Sequence, residues 1–472
     1  MYEKLDRIFK LKQNNTNIRT EVSAGITTFL AMAYILAVNP AILSSAGMDR
    51  GGIMIATALA AFAGTMLMAF LANYPFALAP SMGLNAYFAF TVVQGMGCSW
   101  QLALFAVFFE GIIFLIMSLT NIREMIFNTI PLPLKKAAGV GIGFFIAFIA
   151  LQNSHLVTAH SVTLVTFQTI RGEAWHTVGV AAILTVAGVL ITTGLLHKKI
   201  KSAILMGIVI TWVMGMICEV TKLYYVIPEQ GFNALIPELG SNSFGKAFSG
   251  FKDICGGAFD VKNWTIKGSA VSGWKLIFSS QFISVVLAFL FVDLFSAIGT
   301  LTGVASQAGM LQADGKLPRI NGAFAADSLA TSIGAALGTS TTTTYVESAA
   351  GVVEGGRTGL AAVVTAILFL FSIFLAPLLL AVPAFAVAPA LIIVGFYMIS
   401  SIVEFDFKDI GEAIPVYLTI IVMPFSYSIT DGISMGIISW TLINLMLNRR
   451  ERVSWLMIGL TLIFLANYFW LK

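Results

Sequence analysis

Four carboxylates fall inside runs that are otherwise apolar: Glu110, Asp293, Asp327 and Glu347. No lysine or arginine lies in mid-run to neutralise them. A charge in such a setting is expensive and is retained where it binds polar cargo or moves protons. A carboxylate does both, because it accepts hydrogen bonds from N–H edges and takes up and releases a proton. Asp293 lies within Phe291-Val292-Asp293-Leu294-Phe295-Ser296-Ala297-Ile298-Gly299-Thr300, where helical spacing sets Asp293, Ser296 and Thr300 on one face. Glu347 follows a threonine-rich stretch at the start of a short predicted helix, where the helix dipole favours an anion. Asp293 and Glu347 are therefore the proton-coupling candidates. Glu110 fits either a paired structural acid or a functional group. Asp327, in Ala326-Asp327-Ser328, is expected near a span end as a helix cap.

Other reactive constellations are missing from the sequence. His155, His160, His176 and His197 sit near run ends or in loops, without metal-ligand spacing. Cys98, Cys218 and Cys255 form neither a CxxC pair nor an even set. There is no HExxH, and no histidine lies inside a span to activate a serine. No metal, no catalytic centre and no cofactor is expected.

The elements that must hold these acids follow from composition. Of 472 residues, 58% are apolar and 11% charged, against the roughly 25% charged of a soluble protein. So few charges cannot clothe a water-facing surface, and the chain is read as a polytopic helical protein of the lipid bilayer. A net charge of +4, spread along the chain, leaves no nucleic-acid footprint. Apolar runs place spans near Val22–Ser44, Ile53–Asn73, Phe76–Gly95, Trp100–Leu119, Lys136–Gln152, Val178–Leu196 and Ser202–Val220. A second set falls near Leu276–Val304, Gly322–Leu337, Thr342–Val353, Leu360–Leu380, Ala386–Ser401, Ile414–Ser428 and Ile433–Leu447. This divides the chain into a tail (1–21), a first set of seven spans (22–220) and a long extracytoplasmic loop (221–274). A second set of seven (275–447) and a C-terminal tail (448–472) complete it. The tail's apolar run, 453–470, is long enough either to span or to lie in the interface.

Basic residues set the orientation. Lys4, Arg7, Lys10, Lys12 and Arg19 precede the first span, and alternate loops carry Arg123, Lys135 and Lys136, then Lys198, Lys199 and Lys201. Lys316 and Arg319, then Arg449, Arg450 and Arg452, continue the series, while Arg50 and Arg171 stand alone in the intervening loops. The positive-inside rule then puts the N-terminus in the cytoplasm, in a multi-pass protein of the cytoplasmic membrane. The polar start makes the first span the insertion signal. The acidic loop Glu404–Glu412 departs from the pattern.

The two sets repeat one another. Ile130-Pro131 stands twelve residues before Gly143-Phe144-Phe145, as Val382-Pro383 stands twelve before Gly395-Phe396-Tyr397. Leu184-Thr185 precedes Met206-Gly207-Ile208, as Leu418-Thr419 precedes Met435-Gly436-Ile437. Seven spans is an odd number, so the second repeat must be inverted, an arrangement with its site near the midplane. The third span of each repeat is a poor helix. Ala77–Asn85 carries Pro80 and Gly83, and Gly338–Tyr345 carries five threonines in six residues. Extended backbone in hydrocarbon is costly, so these segments are expected to pair with each other and lead into half-helices. The alternative is two packed helices whose threonines bond back to the preceding turn.

Several motifs carry a resemblance. Gly25-Ile26-Thr27-Thr28-Phe29-Leu30-Ala31-Met32-Ala33-Tyr34, Met82-Gly83-Leu84-Asn85-Ala86-Tyr87-Phe88-Ala89-Phe90, the run from Gly338 through Gly351, and Glu354-Gly355-Gly356-Arg357-Thr358-Gly359 are the residues concerned. They resemble the AzgA-like purine permeases of the nucleobase–cation symporter-2 and nucleobase–ascorbate group. The resemblance implies fourteen spans in two inverted repeats, with spans 1–4 and 8–11 as a core domain and the rest as a gate. It also implies import of adenine, guanine or hypoxanthine with protons, an elevator-type cycle, and a homodimer through the gates. Asn85, Asp293 and Glu347 match the family's functional positions. A purine suits them, since the carboxylates accept from its N–H edge and an amide both donates and accepts. Ser296 departs from the pattern, which reads Asp-Leu-Phe-Asp-Thr where this chain has Ser296 and Ala297. With that second acid absent, the coupling ion and the preferred base stay open. Xanthine, urate, a pyrimidine or an inorganic anion are the other cargoes, and Ser296 joins the substrate-binding candidates.

Overall fold

The computed structural model describes residues 2–120, 131–160, 162–167, 175–200, 202–227, 232, 234–236, 242–266, 269–270, 279–307, 310, 317–466 and 468. Of the residues singled out above, Arg123, Ile130, Arg171, Lys201, Leu276, Lys316 and the side chains of Ser296 and Ala297 lie outside them.

Fourteen segments among the described residues take up the predicted spans. Spans 1, 2 and 4–7 are Ile18–Ala46, Arg50–Ala72, Trp100–Leu119, Leu132–Asn153, Trp175–His197 and Ala203–Val220. Spans 8 and 9 are Ser280–Gln307 and Ile320–Leu337. Spans 11 and 12 are Gly359–Leu380 and Ala384–Glu404, and spans 13 and 14 are Ile410–Ser426 and Ile429–Met446. Spans 3 and 10 are broken. Span 3 is the strand Leu78–Pro80 (β1) followed by the helical turns Met82–Ala86 and Tyr87–Gly95. Span 10 is the strand Thr342–Thr344 followed by the half-helix Ser348–Val353. Large apolar side chains such as Phe70, Leu190, Phe374, Phe396 and Phe425 point outward, as a hydrocarbon solvent requires.

Packing divides the spans into two bodies. Spans 1–4 and 8–11 contact one another, as do spans 5–7 and 12–14, and the contacts obey an exchange of span n with span n + 7. Span 6 on span 12 is matched by span 13 on span 5, and span 1 on span 11 by span 8 on span 4. Spans 5 and 12 cross at the axis of this exchange. A Cβ on Gly143 would stand 2.8 Å from the carbonyl oxygen of Gly395, and one on Gly395 would stand 2.6 Å from that of Gly143. Only backbone fits between them. These are the glycines of the repeated Gly-Phe-aromatic motif, so the repeat in the sequence is the crossing in the fold.

The second repeated motif needs a correction. Gly207 faces Thr192 and Gly436 faces Thr419, each with room for no Cβ. The counterpart of Thr419 is therefore Thr192, one helical turn-pair beyond Thr185. Threonine recurs along span 6, at Thr185, Thr192 and Thr193, and the sequence match took the wrong one.

Three further expectations are sharpened. The 221–274 stretch includes the helix Asn242–Ile254, which packs on span 2, and Gly256 N–H donates to Ala336 O at 2.8 Å. That stretch is a cap on the core rather than a bare loop. The final apolar run forms the helix Trp455–Ala466 antiparallel to span 14, with Tyr468 Oη donating to Asp431 Oδ1 at 2.9 Å near that span's other end. The acidic loop is reconciled with its neighbours. Glu404 pairs with Lys136, and Asp409 receives Arg449 at 2.5 Å and Arg452 at 2.7 Å, so the acids and bases of these loops share one face.

Two predictions follow from this packing. Gly143→Leu or Gly395→Leu should each destabilise the protein by about 1–3 kcal/mol, read as a fall in unfolding temperature, because either side chain forces spans 5 and 12 apart. The guanidinium of Arg449, and then that of Arg452, hold the Asp409 carboxyl below its usual range. A depressed folded-state value gives stability that is present above the unfolded value, near pH 4, and lost as pH falls through the folded one. Asp409→Asn should lower the unfolding temperature at pH 7 and flatten its decline in acid.

Candidate binding site at the crossing of spans 3 and 10

The two extended segments pair antiparallel, with Leu78 opposite Thr344, Ala79 opposite Thr343 and Pro80 opposite Thr342. Ser81 N–H donates to Thr341 O at 2.9 Å and Tyr345 N–H to Ala77 O at 3.0 Å, extending the ladder at both ends. The outward groups of this small sheet are met by side chains. Thr65 Oγ1 accepts from Leu78 N–H at 2.9 Å and lies 3.2 Å from Leu78 O. Thr331 Oγ1 donates to Thr342 O at 3.1 Å, as its counterpart in the second repeat. Thr344 N–H donates to Asp327 Oδ1 at 3.1 Å. The residue in the equivalent place in the first repeat is Pro80, which has no N–H, and span 2 accordingly carries Ala61 where span 9 carries Asp327.

Asp327 thus lies in the body of span 9, buried, and serves the strand rather than capping a helix end. The expectation failed because the partner of Asp327, the Thr344 N–H, lies seventeen residues on and is brought near only by the fold. Glu110 also serves the crossing, since Thr341 Oγ1 donates to its Oε2 at 3.0 Å. That supports the structural reading of Glu110.

Asn85 is fully buried at the first turn after β1. Its Oδ1 accepts from the Ser340 hydroxyl, and its Nδ2 lies 3.5 Å from Pro80 O, which also accepts from Tyr345 Oη at 2.5 Å. An amide has two N–H donors and two acceptor lone pairs, so one of each is left for a ligand. Glu347 stands at the N-cap of the half-helix Ser348–Val353, where its Oε1 accepts from Tyr34 Oη at 2.5 Å. Span 8 packs against the β-strand of span 10, its half-helix and the turn that carries Asn85. Asp293, 1% exposed on that span, therefore belongs to the same group of elements as Asn85 and Glu347. The Ser296 side chain lies outside the described residues, on the same helix.

The profile described as the Permease family matches residues 19–435. This chain belongs to that family. It is similar to the guanine/hypoxanthine permease PbuG of Bacillus subtilis, 42% identical over 98% of this chain and 99% of the relative. It is also similar to the adenine permease AdeP of Escherichia coli, 37% identical over 98% of this chain and 95% of the relative. Among solved structures it resembles the transmembrane domain of a cyanobacterial bicarbonate transporter, BicA, with a TM-score of 0.62 at 14% identity, covering 89% of this chain and 97% of that one. That likeness is one of fold. The purine-permease resemblance and the fold of two inverted repeats, divided into core and gate, are both borne out.

In this permease the core faces the gate through span 3. A Cβ on Gly83 would stand 2.7 Å from Ile142 of span 5, and the Phe90 ring lies 5.7 Å from that of Tyr427, between spans 13 and 14. Thr91 Oγ1 donates to Tyr427 O at 3.2 Å, and Phe145 of span 5 completes an aromatic cluster on the same ring at 5.4 Å. Beyond the sequence-based candidates, the structure adds Tyr34, Ser340 and Thr341 as partners of the polar groups. Tyr34 lies 313 residues from Glu347 in sequence, so no spacing rule could have joined them.

Thr65→Val tests the strand's dependence on its side-chain partners. The substitution preserves shape and leaves Leu78 N–H buried without its acceptor, which should cost about 1–3 kcal/mol. Thermal unfolding of the purified protein measures it, and an unchanged midpoint contradicts the assignment.

Proposed function

We propose that this permease is a secondary active transporter that imports a purine nucleobase, adenine, guanine or hypoxanthine, across the cytoplasmic membrane with protons. Its N-terminus is cytoplasmic in this reading, and the core carries the substrate by moving against the gate. The observation that carries the proposal is the near full-length similarity to named purine permeases, in a chain that keeps Asn85, Asp293 and Glu347 on contacting elements. The chemistry agrees. Carboxylates at Asp293 and Glu347 accept from ring and exocyclic N–H groups, and Asn85 reads a donor–acceptor edge. Asn85 and Asp293 are at most 1% exposed, which supports movement as a condition of substrate entry. A homodimer through the gate domains accompanies the proposal.

One observation favours a second reading. Serine stands at position 296, where the resemblance to purine permeases implies a second acid. On that reading the cargo is another base or an anion, or transport runs without a proton.

Uptake of labelled adenine, guanine and hypoxanthine into proteoliposomes, with and without an imposed pH gradient, separates these. Purine accumulation above equilibrium that needs the gradient is expected, and Glu347→Gln should reduce it by about tenfold or more. Accumulation only to equilibrium, whatever the gradient, rules out proton symport. In the same assay Ser296→Asp should alter base preference or pH dependence if the serine is a functional change, and leave both alone if it is neutral.

A further inference from the structure

We propose that Tyr34 is a positioning residue that fixes the orientation of the Glu347 carboxylate for substrate. The inference rests on the reading of Glu347 as a substrate-contacting group and adds the residue that aims it. Tyr34 sits within span 1, on helical backbone between the segments Ile18–Met32 and Ile35–Leu43. Its side chain, with no exposed surface, lies against the start of the span-10 half-helix. There its hydroxyl donates to Glu347 Oε1 at 2.5 Å. The neighbouring phenol, Tyr345, is committed elsewhere, since its hydroxyl donates to Pro80 O at 2.5 Å. A glutamate at a helix start has three rotatable bonds and no fixed direction of its own. Anchoring Oε1 to a phenol held by packing selects one orientation and leaves Oε2 to face an incoming N–H. The bond also ties span 1 to span 10, so the carboxylate is held to the body of the core rather than to its own short helix.

The test reads the carboxylate directly. Infrared difference spectra of wild type and Glu347→Gln in liposomes assign the Glu347 band by its loss. Tyr34→Phe, which removes one oxygen and keeps the ring, should displace that band, and a band left in place overturns the proposal. Calorimetric titration with adenine, guanine and hypoxanthine supplies the second arm. Tyr34→Phe should weaken binding by about tenfold in the wild-type background. In the Glu347→Gln background it should change binding little, and equal losses in both backgrounds overturn the proposal. Failure of the wild type to bind any of the three bases sinks the purine reading, while the infrared arm still decides the role of Tyr34. Should Tyr34→Phe fold poorly, Glu347→Asp withdraws the acceptor instead. The wild-type-minus-variant spectrum should then contain a tyrosine C–O feature, whose absence overturns the assignment.

Discussion

A backbone N–H or C=O in the middle of an apolar span has no water to turn to, and this one constraint organises the centre of the protein. Spans 3 and 10 each leave the helix at the midplane, and each would strand several polar groups if it stood alone. Paired antiparallel, they satisfy the inward groups mutually. The outward ones are met by Thr65, Thr331, Asp327 and Tyr345, which come from spans 2, 9 and 10. The break is therefore stable only inside a core whose flanking spans carry the right side chains at the right height. Those spans approach the pair because the inverted repeat puts span 2 beside one strand and span 9 beside the other.

The same constraint sorts the intramembrane acids. Asp327 and Glu110 face the strands and answer donors of the crossing, whereas Glu347 stands beyond the strand at the mouth of a half-helix. Asp327 answers the Thr344 N–H and Glu110 the Thr341 hydroxyl, both donors of the strand segment itself. Glu347 instead meets the Tyr34 hydroxyl of span 1, outside the crossing. Burial follows the same division, since Glu110 and Asp327 are fully buried and Glu347 only partly so.

Much of this was legible in the sequence, for physical reasons. Spans were readable because the bilayer imposes length and hydropathy, and all fourteen begin and end close to where apolar runs do. The breaks were readable because Pro80 and the threonines of 338–345 are poor helix formers at matching places. Gly143 and Gly395 marked a crossing because only glycine permits the approach. What escaped were long-range partners. Asp327 looked like a cap because its acceptor role depends on Thr344, which the fold alone brings near. Tyr34 looked like part of an apolar motif, and its bond to Glu347 joins residues 313 apart in sequence that the fold alone brings together. The equivalence of Thr192 with Thr419 was missed because span 6 carries several threonines and only contact distinguishes them.

The repeat is symmetric in backbone and asymmetric in chemistry, and the difference is informative. The register centres on Ala79 and Thr343, so Gly83 is the counterpart of Glu347, each four residues beyond the centre. At Gly83 the first half-helix has no side chain and comes close to Ile142 of the gate. At Glu347 the second carries a carboxylate that turns to Tyr34 within the core. One half-helix is thus shaped to lie against the gate and the other to hold a polar group away from it. Proline in one strand and threonine in the other follow the same division, because Pro80 removes a donor that its repeat would otherwise have to satisfy, and Asp327 exists to satisfy the donor that Thr344 retains. Two copies of one scaffold have therefore been given separate tasks, contact with the gate and reception of a ligand, by a handful of substitutions that leave the backbone pairing unchanged.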